Sequence, residues 1–262
     1  MKTALLIIDP QNDFCDPASG TLYVPGAEGD MFRLANLLNR RGDVFEEIYV
    51  TLDSHHLRDI AHPLFWENEQ GVHPAPFTQI RAPEVEGGLW RASNSEHRTR
   101  ATSYVHALER GGMHLLTIWP PHCLIGSVGQ AIYPPLCEAL LSWERKFGTV
   151  NFIAKGENPF TEHYSAIRAE VPDPADPSTQ TNTNLVAALK LADRIVVAGE
   201  AGSHCVANTL YDLAEELAPS EVAKITLLTD AISPVPGFEA LQATMIEKLT
   251  LRGMKTGTMS EF

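Results

Sequence analysis

Val196-Val197-Ala198-Gly199-Glu200-Ala201-Gly202-Ser203-His204-Cys205-Val206-Ala207-Asn208 is an apolar strand that passes through small residues into a helix. The stretch reads as one strand-to-helix unit of an α/β protein. It places a thiol, Cys205, in the first turn of the helix, where unpaired N–H groups and the positive dipole end favour a thiolate and can hold an oxyanion. Gly199, Ala201 and Gly202 let the backbone turn sharply and approach a ligand. The plain alternative is an inert buried cysteine on a strand–helix turn.

Working outward, similar units recur. Thr3–Ile8 is a continuous apolar run closing on Asp9-Pro10, and Glu47–Leu52 closes on Asp53. Met113–Ile118 leads into Trp119-Pro120-Pro121-His122-Cys123, Val150–Ala154 ends at Lys155-Gly156, and Lys224–Thr229 is the last run. Short apolar runs of this kind are strands buried on both faces. Helical spacing appears in residues 29–39, 102–110 (stopped at Gly111-Gly112), 128–144 (started, broken or kinked at Pro134-Pro135), 184–191, the segment after Cys205, and the segment carrying Phe238, Leu241, Met245 and Leu249. The expected fold is α/β: a three-layer α/β/α sandwich with a mainly parallel six-stranded sheet, Rossmann-like in outline.

A chain of 262 residues with 44% hydrophobic residues suits one domain spanning 1–262. Residues from about 54 to 100 lose regular periodicity and fill with Pro, Gly, His and aromatics, as in Ala61-His62-Pro63-Leu64-Phe65-Trp66. The aromatic content argues for an ordered insertion covering a pocket. A formal net charge of −13 excludes a nucleic-acid-binding surface as the main function, and no apolar run reaches membrane-span length. Four separated cysteines and a start that leads directly into a strand give the expectation of a reducing, cytoplasmic setting.

Carboxyl ends of parallel strands share one edge, so Asp9, Asp53, His122, Lys155 and Cys205 are expected to meet in one crevice. Asp53, His55 and His122 make a carboxylate–imidazole set suited to Zn²⁺, Fe²⁺ or Mn²⁺. Asp9, Lys155 and Cys205 suggest a nucleophile with a carboxylate base and a cation, although an Asp9–Lys155 salt bridge alone would be structural. Cys15, Cys123 and Cys137 read as packing, and His73, His114 and His204 carry no assigned role.

These motifs together resemble the nicotinamidase branch of the isochorismatase-like cysteine hydrolases: Ile8–Phe14, the Asp53/His55 pair, Trp119–Ser127, Lys155-Gly156 with His163–Ala166, and Gly199–Ala201 with His204–Val206. The resemblance runs from Asp9 to Asn208, in the family's order. It implies a Cys205–Asp9–Lys155 triad, an oxyanion hole from the N–H groups of Ala201 and Cys205, and a cis peptide at Glu200–Ala201. It implies one divalent metal, Zn²⁺ foremost, on Asp53, His55 and His122, and substrate contacts from Phe14, Trp119 and Tyr164. Where the family carries a further histidine this chain has Asp59, with His62 three residues on; both are candidates for an additional ligand. Glu200 stands where an aliphatic residue is usual.

The function implied is metal-assisted hydrolysis of a small amide, nicotinamide to nicotinate and ammonia, through a thioester, with a place in NAD metabolism. Relatives' self-association implies a homo-oligomer. The alternatives are a related amidase acting on a ureido, maleamic or similar amide, and a non-catalytic metal- or ligand-binding homologue.

Overall fold

The computed structural model describes residues 2–111 and 114–262. Strand β1 (Thr3–Ile8) is wholly buried, as its unbroken apolar run requires. Helix α1 (Ala27–Arg41) buries Met31, Leu34, Leu37 and Leu38 along one stripe, and β2 (Glu47–Asp53) follows. Helix α2 is Arg98–Gly111, and α3 is Pro134–Glu144, with Pro134 in its first turn where no N–H is needed. Then come β3 (Asn151–Lys155), α4 (Thr183–Lys190), β4 (Arg194–Gly199), α5 (Cys205–Glu216), β5 (Ile225–Leu228), α6 (Glu239–Leu251) and β6 (Lys255–Gly257).

All six strands are parallel, in the order β6-β5-β4-β1-β2-β3. The chain winds from β1 outward through β2 to β3, then returns to the other side of β1 and winds outward through β4 to β6. Right-handed crossovers then put the helices of the two halves on opposite faces. Accordingly α1 packs on α3, and α5 on α6. The reversal lies between β1 and β4. Connections leaving those two strands diverge there, the position at which open parallel sheets generally bind ligands. Asp9 and the Glu200–Cys205 turn are the residues that follow them.

The sheet is six-stranded and parallel as expected, but one of its members differs. The run at 113–118 does not enter it: Leu116–Thr117 pairs antiparallel with Gln79–Ile80 of the insertion, while Met113 lies outside the described residues. Leu116 and Ile118 are buried against the insertion rather than in the sheet. The sixth position is taken by Lys255–Gly257, three residues without an apolar run. Of the expected helix stop at Gly111-Gly112, α2 reaches Gly111, and Gly112 lies outside the described residues.

Residues 54–100 are ordered in short pieces: Trp66–Glu67 pairs antiparallel with Arg91–Ala92, and a short helix spans Ala82–Glu86. Trp66 is fully buried and donates its indole N–H to the Ile60 carbonyl at 2.7 Å. Among the described residues no helix is long and apolar enough to cross a membrane.

Candidate active site and metal centre

The polar loop after β1 works mainly as a clamp. Gln11 exchanges two hydrogen bonds with the Asp53 backbone, its amide donating to the carbonyl and its oxygen accepting from the N–H, both at 2.7 Å. Asp13 accepts from the Cys123 N–H at 2.6 Å and from Thr21 N–H at 3.1 Å. Its anchoring fixes Cys123 at a positive φ of 46° and so aims the preceding His122. The loops that carry His55 and His122 are also joined directly: His55 N–H donates to Cys123 O at 3.0 Å, and Ile125 N–H to His55 O at 3.1 Å.

Asp9 caps β1 at φ 43° and is fully buried. Thr51 on β2 holds it, accepting from the Asp9 N–H at 3.0 Å and donating to Oδ1 at 2.5 Å. Lys155, paired in register with Asp53, ends β3. Its Nζ lies 2.8 Å from Asp9 Oδ2 and 2.9 Å from Asp53 Oδ1, and it donates to His163 O at 2.9 Å and toward Cys205 Sγ at 3.7 Å. Asp9 Oδ2 therefore lies against the Lys155 ammonium in a fully buried ion pair.

Cys205 opens α5 as expected, yet its thiol is not the acidic group that a helix start alone suggests. Burial pushes it well above the usual thiol range; Lys155 opposes this, while Asp9 and Asp53 reinforce it. Burial also raises the Asp9 carboxyl, against the pull of Lys155. Burial lowers the Lys155 ammonium, but Asp53 and Asp9 more than offset it and keep the cation. The resting pair is therefore a neutral thiol beside a buried carboxyl whose affinity for a proton is enhanced. The bond between Glu200 and Ala201 is cis. Among the described residues the N–H groups of Ala201 and Cys205 donate to no protein acceptor.

Asp53, His55 and His122 are buried, with ligand atoms all within 4.8 Å of one another. His55 Nε2 lies 3.0 Å and His122 Nε2 3.4 Å from Asp53 Oδ2. The opposite nitrogens are engaged elsewhere: His55 Nδ1 with Asp59 Oδ2 at 3.1 Å, and His122 Nδ1 with Pro120 O at 2.8 Å. Nδ1–H tautomers on both rings leave two Nε2 lone pairs and one carboxylate oxygen aimed at one point, a fitting donor set for a divalent cation. Burial pulls down the His55 imidazolium, but Asp53 and Asp59 hold it well above its usual range, so the pocket favours positive charge there.

Asp59 and His62, the additional candidates, stand behind the trio. Asp59 backs His55; His62 Nε2 lies 3.3 Å from His122 Nδ1, and its Nδ1 meets His56 O at 3.1 Å. Burial and His122 lower the His62 pKa to about 3.

Phe14 packs edge-on to His122 at 5.5 Å, and Trp119 donates its indole N–H to Tyr164 Oη at 2.9 Å. The wall around Trp119 includes residues to which the sequence assigned nothing: His204 at 5.1 Å, Phe238 at 6.0 Å and, from the insertion, Phe77 at 5.9 Å. Burial lowers the His204 pKa to about 3, so it serves as a neutral ring, with Ser203 Oγ 2.8 Å from its Nδ1. His114 joins the same wall through Tyr164 at 5.1 Å, and His73 Nδ1 meets Trp66 O at 2.5 Å. Cys15 and Cys123 are buried, and Cys137 is half-buried.

No protein-family model matches the chain. The nicotinamidase of Escherichia coli (strain K12) is 28% identical over 216 residues, covering 80% of this chain and 75% of that protein. The solved yeast nicotinamidase superposes with a TM-score of 0.64 at 20% identity, covering 97% of this chain and 98% of its own. The chain has the nicotinamidase-like, isochorismatase-type fold. The pyrazinamidase of Pyrococcus horikoshii, solved in complex with zinc, superposes with a TM-score of 0.58 at 16% identity, covering 98% and 99%.

Proposed function

We propose that this chain hydrolyses a small aromatic carboxamide, nicotinamide to nicotinate and ammonia, with Cys205 as nucleophile. The observation that carries the reading is the Lys155 ammonium, buried within reach of Asp9, Asp53 and the Cys205 sulfur at the crevice between β1 and β4.

As Cys205 Sγ attacks the carbonyl carbon, its proton passes to the Asp9 carboxylate. The N–H groups of Ala201 and Cys205 stabilise the oxyanion of the tetrahedral intermediate, each worth about 3 kcal/mol where well placed. Asp9 returns the proton to the departing nitrogen, ammonia leaves, and the acyl group remains as a thioester on Cys205. A water molecule then gives a proton to Asp9 and attacks the thioester carbon. The acid departs, and the proton passes back to the sulfur. Lys155 stays charged throughout and compensates the negative charge that moves between Asp9 and Cys205.

Asp53, His55 and His122 would hold a divalent ion, zinc in our reading, which when bound supplies a Lewis acid for a ring nitrogen or a water. Trp119 and Phe14 are read as the flat walls that hold the ring, with Tyr164 fixing Trp119 through its hydroxyl. The reading includes the cytoplasmic setting, self-association and place in NAD metabolism expected from the sequence.

The test is ammonia release by metal-analysed protein from nicotinamide, pyrazinamide and a panel of linear amides. Turnover of the two aromatic amides well above the linear ones is expected. No turnover of either aromatic amide would overturn the assignment.

A further inference from the structure

Glu200 is fully buried in the turn between β4 and Cys205. Its Oε2 accepts from the Ser233 N–H at 3.1 Å, whereas Oε1 is buried and meets no donor. The neighbouring acid is Asp30 on α1, itself 2% exposed, which accepts from the Ser233 hydroxyl at 2.5 Å and from the Arg33 guanidinium. Two buried carboxyl groups thus meet around Ser233, and the cation nearby, Arg33, pairs with Asp30 alone and is half-exposed. An oxygen with nothing to accept from, beside a carboxylate, is satisfied by carrying a proton and donating it.

Ser233 also grips the turn from the other side, since its carbonyl accepts from the Gly202 N–H at 2.8 Å. Glu200 by its side chain and Gly202 by its backbone are therefore both tied to Ser233, with Ala201 between them. The Glu200 N–H is fixed to Ile8 O at 2.8 Å. Ala201 thereby has little freedom to move relative to Cys205.

We infer that Glu200 is a positioning residue acting as an un-ionised carboxylic acid, which donates to Asp30, accepts from Ser233 and so holds the Ala201 N–H where the oxyanion forms. Its role in the oxyanion hole rests on the amidase reading above. The charged and titratable groups facing it are Asp30 and Arg33 on α1 and Cys15 at the end of the short helix Asn12–Cys15. Burial, reinforced by Asp30, pushes the Glu200 acid well above its ordinary range, and burial likewise pushes up the Cys15 thiol.

The sign of the pH effect follows. Above the ordinary glutamic acid range, folded protein keeps a proton that unfolding releases, so the wild-type chain loses stability as pH rises. Glu200→Gln has no proton to release, and its amide still donates to Asp30 and accepts from Ser233.

The test compares wild type, Glu200→Gln and Glu200→Ala, all metal-loaded. Tm is read from pH 5 to 9, together with amide hydrogen exchange of the 199–206 segment, kcat and KM. The Tm of Glu200→Gln should gain on wild type steadily as pH rises. Exchange should stay at the wild-type rate in Glu200→Gln and rise at least tenfold in Glu200→Ala. For the amide substrate, Glu200→Gln should keep kcat within about threefold, and Glu200→Ala should lose at least 30-fold in kcat with KM within about threefold. A pH-independent Tm gap, exchange in Glu200→Ala equal to wild type, or Glu200→Gln as impaired as Glu200→Ala would each overturn the inference. The Tm and exchange arms need no substrate, so they decide it even if wild type hydrolyses no amide tested, a result that would instead sink the functional reading.

Discussion

Thr51→Val is the most direct probe of what holds the Asp9 carboxyl, the base of the proposed mechanism. Valine keeps the β-branched shape of a fully buried β2 residue and removes only the hydroxyl, which accepts from the Asp9 N–H at 3.0 Å and donates to Asp9 Oδ1 at 2.5 Å. A buried N–H left unpaired costs about 1–3 kcal/mol, and a lost hydrogen bond to a charged group about 1.5–3 kcal/mol. Partial relaxation brings the expected loss to about 2–4 kcal/mol, or roughly 4–16 °C in Tm for a chain of this size. The consequence for catalysis is separate. Asp9 sits at a positive φ that the Thr51 contacts help maintain, so its carboxyl should drift from the sulfur and kcat should fall about 10–100-fold, a fraction of what a positioned base contributes. The Thr51 bond also helps hold the Asp9 pKa down, so its removal should move the acidic limb of the kcat/KM profile to higher pH. Ammonia-release kinetics across pH, with calorimetry on the same samples, reads all three quantities. Unchanged Tm and unchanged kcat together would show that the Thr51 hydroxyl does not hold Asp9.

Two further substitutions separate the parts of the site. Cys205→Ala should abolish ammonia release while metal content, read by elemental analysis, stays at the wild-type ratio; residual turnover above background would remove Cys205 from the nucleophile's place. Asp59→Asn keeps a partner for His55 Nδ1–H but drops the charge behind it, so metal affinity should fall about 10–100-fold in a chelator competition. An affinity equal to wild type would mean that the Asp59 charge does not tune the centre.

What the sequence reveals is whatever its local pattern encodes. Apolar runs ended by Asp9, Asp53 and the Cys205 turn mark buried parallel strands, whereas the run ended by Lys155, expected to be buried on both faces, is an edge strand with Asn151, Phe152 and Ala154 exposed; topology then carries all these residues to one edge. Lys255–Gly257 has no such run, because a three-residue edge strand needs little apolar area, and it escapes detection. The run at 113–118 has the pattern without the place: burial against the insertion yields the same apolar composition as burial in a sheet. Thr51, Gln11 and Asp13 are illegible for another reason. Their partners lie 42, 42 and 110 residues away, so nothing local distinguishes them from ordinary polar residues. The thiol shows the same limit in energetic form, since the helix start is visible in sequence whereas the burial and the Asp9 charge that outweigh it are not.

Asp53 joins the two halves of the site through its two oxygens. Oδ1 takes the Lys155 ammonium at 2.9 Å, while Oδ2 faces His55 Nε2 at 3.0 Å and His122 Nε2 at 3.4 Å. Burial alone would raise this acid, but His55 and Lys155 together hold it well below the usual carboxylate range, so it stays charged between them. Lys155 in turn faces Asp9 and Cys205. A cation bound to Oδ2 would withdraw charge from the carboxylate that Lys155 shares, strengthening the pull of Lys155 on Asp9 and on the sulfur. On the proposed reading, metal occupancy and the charge on the Cys205 sulfur would be linked through this one residue. The physical reason is geometric: register pairs Asp53 with Lys155 across β2 and β3, so neither residue can move without displacing the other's partners.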